Sequence, residues 1–412
     1  MVSERLQSNQ QHRGPRESMN VTVSKPAMRF SDRNLYPIWE KVQECVRLAF
    51  ADGVTLMQSP DLTGVGRLAN WVKTRLHGDQ VFFVINRYIN PTNLCVLTCG
   101  FCDFAKRKGD PGAYELTNAQ ILDLVNEEIR ELHIVGGHHP DWPFEHFEEM
   151  LRMLRQRWPH VQIKGFTAAE IDYFWRRWKI PPEESLRRLQ AAGLNAMPGG
   201  GAEVFSDRVW KLLFSGKAGP NRYLEIHRIA HRLGIPTNAT ILYGHIETAE
   251  ERVQHLVRLR EVQDEDPGFF TFIPLAYQIS SHRLRERQAS AIEDLKVIAT
   301  SRLMLDNFPH VEAFWIDLGV ECASMALHFG ASDINGTLVE EKIAHAARAE
   351  SPVGVTRQRL VHMIWDAGKI AVERDALYNV IQVYDRKASA GRLPAADCAP
   401  ASAMPLMIGA AS

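Results

Sequence analysis

The sequence predicts an α/β fold: a (β/α)8 TIM-like barrel with N-terminal helices and a C-terminal extension. Three observations carry the prediction. Short apolar runs alternate with amphipathic helical stretches about eight times, which argues for parallel strands joined by right-handed crossovers. Each conspicuous motif follows directly on an apolar run, and a barrel gathers its chemistry at the C-terminal ends of its strands. The chain has 412 residues, enough for one such barrel with additions. Alternation alone also fits a doubly wound sheet, but seven or eight units favour closure.

Taken in order, residues 1–28 are polar and patternless and read as a disordered leader. The opening MVSERLQSNQQHRGPRES lacks the apolar centre of a secretory signal, and its acidic residues argue against a transit peptide. Residues 36–77 carry helical patterning, as in Ile38, Val42, Cys45, Val46 and Phe50. VFFVINRYI (81–89) reads as a strand leading to a cysteine loop. TNAQILDLVNEEIREL (117–132) reads as a helix: Thr117 and Gln120 form a capping box, and Ile121, Leu122, Val125, Ile129 and Leu132 make one face. HIVGG (133–137) follows, then a helix near 144–157, VQIKGFT (161–167), and a helix over 183–192 that Gly193 terminates. LNAMPGGG (194–201) precedes helical stretches to 233, and IPTNATILYG (235–244) reads as a strand. Thr248 and Glu251 cap a helix reaching about residue 263. FFTFIPL (269–275), another helix, HVEAFWIDLG (310–319) and a short strand in ASDINGT (331–337) complete the pattern. From 386 on, the Ala-, Pro- and Ser-rich chain reads as a loose tail, leaving 29–385 as one barrel domain with flanking helices.

Composition narrows the function. Apolar residues make up 45%, charged residues 24%, and the net charge is -1, as in an ordinary globular protein. That balance asks for neither a nucleic-acid nor an anionic-membrane partner. No run of 18 apolar residues offers a membrane helix, so a cytoplasmic enzyme acting on a small molecule is expected. Of six cysteines, Cys45, Cys322 and Cys398 are scattered and read as buried or tail thiols, while Cys95, Cys99 and Cys102 fall within CVLTCGFC.

Three clustered thiols pose a question of valence. A structural zinc site closes with four ligands and a disulfide needs two. Three thiolates on a four-iron cluster leave one iron open to a substrate. Two other readings stand beside it: a zinc knuckle completed by a residue such as His138, and a ferredoxin-like carrier, which wants a fourth cysteine and a following proline that this loop lacks.

The spacing Cys-x3-Cys-x2-Cys, with Phe101 before the last cysteine, resembles the signature of the radical S-adenosylmethionine (radical SAM) superfamily. The string CGFCDFAKRKGDPGAYELT resembles the cluster loop of a subgroup holding the futalosine-pathway enzymes and the deazaflavin synthases. ELHIVGGHHPDWPFEHF, IKGFTAAEID, MPGGGAEVF, NATILYGHIETAEERVQHLVRLREVQDE, ALHFGASDINGTLVEEKIAHAARAESP and VERDALYN look like the aminodeoxyfutalosine synthase family, over roughly residues 32–380. The resemblance implies a barrel of the radical SAM type and one 4Fe-4S cluster on Cys95, Cys99 and Cys102. S-adenosylmethionine would sit on its open iron. It further implies an external electron donor such as flavodoxin or ferredoxin. The implied reaction, in menaquinone biosynthesis, adds the 5′-deoxyadenosyl radical to 3-[(1-carboxyvinyl)oxy]benzoate. It gives 6-amino-6-deoxyfutalosine, methionine and CO2 or bicarbonate. Two alternatives remain: the radical SAM cyclase that makes cyclic dehypoxanthinylfutalosine, and a non-catalytic iron–sulfur or zinc protein.

Residue roles follow partly from the resemblance and partly from chemistry. In the superfamily a glycine pair like Gly136 and Gly137 meets the methionine amino group; the alternative is a plain tight turn. Glu203 in GGGAE matches a carboxylate that relatives aim at the amino or ribose groups, and Glu170 is a second ribose-side candidate. Arg222 offers a fork for the methionine carboxylate, or else lies on a solvated helix face. His138, His139 and His245 are candidates for acid–base work or for a substrate carboxylate. Asn238 and Thr240 share a strand face toward the substrate, and Glu247 reads as first-turn helix electrostatics. Asp110 and Tyr114 brace the cluster loop or contact adenine. His227 and His231 stand four apart without the Glu of a zinc helix and read as packing histidines. Arg283 is the one further cation suggested for the substrate.

Overall fold

The structure, a computed structural model, describes residues 28–386 apart from 280 and 340. The expected leader and tail lie outside the described residues, except for Met28 and Arg386 at their edges. The strands are β1 (Gln80–Val84), β2 (Asn86–Ile89), β3 (Glu131–Ile134), β4 (Gln162–Gly165), β5 (Leu194–Ala196), β6 (Thr237–Tyr243), β7 (Phe269–Ala276), β8 (His310–Val311), β9 (Asp333–Gly336), β10 (Ile370–Arg374) and β11 (Val380–Tyr384).

These strands close a barrel. β2, β3, β4 and β5 pair in parallel, as do β6, β7 and β8. The Met197–Thr237 bridge joins β5 to β6, and the Glu312–Asp333 bridge joins β8 to β9. β9 pairs with β1, which runs into β2 through Ile85, so the ring closes on a bent first stave. The β1 half leans away and pairs with β10 on its other edge. β10 and β11 form an antiparallel hairpin there, which the sequence pattern did not reveal. Gln162 ties the hairpin turn to β4 by hydrogen bonds with Asp375 and the Leu377 amide.

The outer helices bury apolar stripes against the ring. Phe144–Arg157 turns in Phe144, Phe147, Met150, Leu151 and Leu154, the spacing of one helix face. Pro182–Ala192 ends at Gly193, and Ala249–Glu265 starts on the Thr248/Glu251 capping box. Three helices, Leu35–Gln43, Phe50–Gln58 and Leu62–His77, precede the barrel.

Two expectations change, and one helix is added. The helix expected over 117–132 ends at Asp123, because the Asn126 carboxamide oxygen accepts the Glu128 amide in a turn and β3 claims Glu131 and Leu132. Val125 and Ile129 are buried all the same, so apolar content mimicked a helical period. In 310–319 only His310 and Val311 are strand, and Trp315–Leu318 is a short helix. TAAE, to which the sequence pattern assigned no element, opens a full helix, Ala168–Trp178. Among the described residues no helix is long and apolar enough to cross a membrane.

Candidate active site

The cysteine loop leaves β2 and is braced from below. The Asn93 side chain donates to the Gly112 carbonyl and accepts the Tyr114 amide, while Thr92 donates to the Tyr114 carbonyl. Tyr114 in turn donates to the Asn90 carbonyl at 3.1 Å, and Asp110 accepts the Arg107 amide at 2.6 Å. The Arg107 guanidinium donates to the Cys95 and Leu97 carbonyls. Both Asp110 and Tyr114 therefore act in bracing this loop. Gly137 passes so close that a Cβ there would lie 2.2 Å from the Leu94 carbonyl oxygen. Only glycine lets that strand end and the loop meet. Gly199 faces the same demand, with a Cβ 2.7 Å from the Ala239 backbone.

Loop and strand ends enclose a cavity of about 310 Å³. Cys95, Cys99, Cys102 and Phe101 form one wall, Gly136, Gly137 and His138 adjoin it, and Glu170, Gly199–Gly201 and Glu203 continue round. Thr240, Leu242, Ile273 and Leu275 rise from β6 and β7, and Tyr88 and His133 line it from β2 and β3. It lies at the C-terminal mouth of the barrel, as parallel strands require.

One residue in this wall had no sequence signal. Lys217 forms an ion pair with Glu203 at 2.5 Å, and its ammonium sits 5.2 Å from the centre of the Phe101 ring. Burial alone lowers a lysine pKa, but Glu203 and the thiols of Cys99 and Cys102 outweigh it and hold Lys217 above its usual value. Burial pushes the Cys99 thiol up to about 11, and Lys217 pulls it back. A fixed cation therefore stands where thiolate charge gathers. Glu203 itself adopts φ 48, a left-handed backbone, inside the wall.

Glu170 caps its own helix, accepting the Thr167 amide at 2.7 Å and the Thr167 hydroxyl at 2.9 Å. Burial pushes its carboxyl up to about 7 despite these bonds. His138 stacks on Tyr173 with centroids 5.0 Å apart, and its Nδ1 is buried without a partner. Burial, then Lys217 and Arg176, lower its pKa to about 3, so it is a neutral imidazole at working pH.

Other expected site residues turn away. His139 stacks on Trp142, and its Nδ1 accepts the amides of Asp141 and Trp142, which leaves it outside the cavity. The ring nitrogens of His245 meet the Leu242 carbonyl and the Ile246 amide, a local turn that Glu247 supports. Arg222 pairs with Asp172 at 3.1 Å and Glu225 at 2.9 Å, away from the thiols. Asn238 is buried but does not line the cavity, while Thr240 does and donates to the Gly199 carbonyl at 2.7 Å. His227 and His231 both meet the Thr237 hydroxyl, which is packing. His139 and His245 stand in loops and are held by local partners, Arg222 is taken by carboxylates of its own and an earlier helix, and Asn238 sits where the pairing of β6 with β7 shifts register.

The thiols suit a cluster. They form no disulfide, are partly accessible, and lie along one cavity wall. Among the described residues no three His, Cys, Asp or Glu side chains converge as around a single metal ion. A four-iron cluster takes one thiolate at each of separate corners, with a cation and backbone amides nearby.

Comparison with known proteins agrees. Residues 89–259 match the Radical SAM superfamily, and residues 266–387 match the CofH/MqnC C-terminal region. The fold resembles methylornithine synthase (TM-score 0.63, 18% identity, covering 81% of this chain and 96% of that one). It also resembles the FeFe-hydrogenase maturase HydG from Carboxydothermus hydrogenoformans (TM-score 0.64, 14% identity, 84% and 80%). Fold, thiol triad and glycine-lined mouth define a radical SAM enzyme, using a 4Fe-4S cluster and S-adenosylmethionine. The aminodeoxyfutalosine synthase of Thermus thermophilus is 45% identical over 86% of this chain and 98% of that enzyme. The one from Streptomyces coelicolor is 40% identical over 84% and 94%. The chain belongs to the aminodeoxyfutalosine synthase family.

Proposed function

We propose that this enzyme joins the adenosyl group of S-adenosylmethionine to 3-[(1-carboxyvinyl)oxy]benzoate, giving 6-amino-6-deoxyfutalosine with release of methionine and CO2 or bicarbonate. The reading rests on the near full-length identity to two aminodeoxyfutalosine synthases. When bound, the cluster held by Cys95, Cys99 and Cys102 takes S-adenosylmethionine at its open iron and supplies the electron that splits an S–C bond.

The chain's own groups then have these tasks. Gly136 and Gly137 admit the methionine part close to backbone amides. Glu203, steadied by Lys217, faces its amino group. Glu170 lies on the ribose side, a neutral or charged acceptor according to pH. Thr240 and the apolar Ile273 and Leu275 form the facing wall, which keeps water from a reactive centre. His138 serves as a neutral hydrogen-bonding group. The electron arrives from an external carrier such as flavodoxin or ferredoxin, and the enzyme works in the cytoplasm.

A second reading has its own support. The cyclic dehypoxanthine futalosine synthase of Streptomyces coelicolor is 33% identical over 86% of this chain. Anaerobically reconstituted, reduced enzyme is to be given S-adenosylmethionine and the enol-ether benzoate, and adenine-containing products followed by mass spectrometry. We expect an adduct of adenosine and benzoate, formed with methionine, and at least a ~10³-fold loss in Cys99→Ala with the fold retained. Free 5′-deoxyadenosine without adduct would favour the cyclase.

A further inference from the structure

We infer that His133 is a substrate-binding residue, whose Nε2–H at the floor of the cavity donates a hydrogen bond to one carboxylate of the substrate. The inference rests on the proposed dicarboxylate substrate. Neither sequence motif nor resemblance pointed to His133.

The first argument is charge. Asp103, Glu170, Glu203, Asp317 and Glu341 all line the cavity. Among the described lining residues the one ammonium or guanidinium is Lys217, and Glu203 holds it at 2.5 Å. A ligand with two carboxylates therefore meets few cations. Its recognition falls to neutral N–H donors, which satisfy an anion without needing a buried positive charge.

The second argument is the orphaned ring. His133 is 9% exposed, and its Nδ1 is shut off from solvent with no hydrogen-bond partner. The ring lines the cavity, so Nε2 is the polar atom left to face a ligand. A buried N–H lacking an acceptor is rarer than a buried lone pair lacking a donor. The proton therefore sits on Nε2, an assignment from hydrogen-bonding logic. Burial, with Lys164 adding to it and Glu131 opposing, lowers the ring pKa to about 3, so it donates as a neutral group.

The third argument is rigidity. His133 is in register with Tyr88 across β2 and β3, and the rings stack 4.1 Å apart with planes 7° from parallel. The Asn335 side chain hydrogen-bonds the Tyr88 hydroxyl. Beneath, Lys164 and Glu131 pair at 2.9 Å. A donor stacked on a ring that is itself anchored is preorganised for its acceptor.

The test measures binding by calorimetry to oxidised, reconstituted enzyme with S-adenosylmethionine present, so that nothing turns over. Three probes are used: 3-[(1-carboxyvinyl)oxy]benzoate and its two monomethyl esters. His133→Leu should weaken the dicarboxylate ~10-fold or more, as loss of a bond to a charged group does. S-adenosylmethionine affinity and melting temperature should hold. His133→Gln, which carries an amide N–H near the same place, should recover most of the loss. The Leu penalty should vanish for one monoester and persist for the other. A penalty equal for both esters would mean mere packing and overturn the assignment, as would a loss under twofold. If wild type binds no dicarboxylate, the functional reading falls together with the assignment. If wild type binds it and His133→Leu binds equally, the assignment falls alone.

Discussion

The lower and upper halves of the barrel interior are both polar, but they treat polarity differently. Below, Arg374 pairs with Asp333 at 2.6 Å, Lys164 with Glu131 at 2.9 Å, and Asn335 donates to Glu312 at 2.6 Å and accepts from Asn86 at 2.9 Å. Even crowded acids are accommodated there: burial and neighbouring Asp333 push the Glu312 carboxyl up to about 8, which favours its protonated form. Above, His133 and His138 each keep a buried nitrogen without a partner. Buried polar groups are normally satisfied. The lower half is mostly ion-paired and hydrogen-bonded within the fold, and the upper half leaves ring nitrogens at the cavity for a ligand to approach.

The largest effect should come from breaking the lower half. Arg374→Met would strand Asp333, with little water to replace the guanidinium. Removing one partner of a buried pair costs about 3–5 kcal/mol, to be read in urea unfolding. A loss under 1 kcal/mol would mean the lower network tolerates vacancies as the upper one does.

Glu170 sharpens the contrast next. Its pKa is raised to about 7 from the model-compound value of 4.5, mainly by burial. A group that binds its proton more tightly when folded favours the fold below the unfolded pKa and loses that contribution as pH rises through the folded pKa. Wild type should therefore lose stability between about pH 4.5 and 7, by on the order of 3 kcal/mol at most, relative to Glu170→Gln. Unfolding free energies of the two at pH 5 and pH 8 decide it. A difference that does not grow with pH would place Glu170 among the satisfied groups.

The smallest effect belongs to the same motif outside the cavity. Thr248 and Glu251 repeat the capping box of Thr167 and Glu170, but on an exposed helix start where Glu251 also meets Arg208 at 2.7 Å. Thr248→Ala should cost about 1 kcal/mol, measured by thermal unfolding, with no trend between pH 6 and 8. One local sequence signal thus has two outcomes, set by what lies over it.

Much of the molecule was legible in the chain. The cysteine spacing, the glycine pair after β3 and the capping boxes at Thr117 and Thr248 are local signals, because each depends on residues a few positions apart. Strand and helix alternation likewise gave the barrel, since periodicity records which face is buried. Where apolar residues fall at helical spacing without a helix, as in 125–132, a turn and a strand form instead.

The sequence by itself determined the thiol triad, the alternation of strands and helices through the barrel, and the family's chemistry at the strand ends. Only the tertiary structure decided that Lys217 reaches Glu203, that Arg222 is taken by Asp172, and that His139 and His245 are buried away from the cavity. It alone inserted β10 beside β1 and stacked His133 on Tyr88. The physical reason is direction. Residue type and spacing set what a side chain can do, but its partner is chosen by register and packing between segments far apart in the chain.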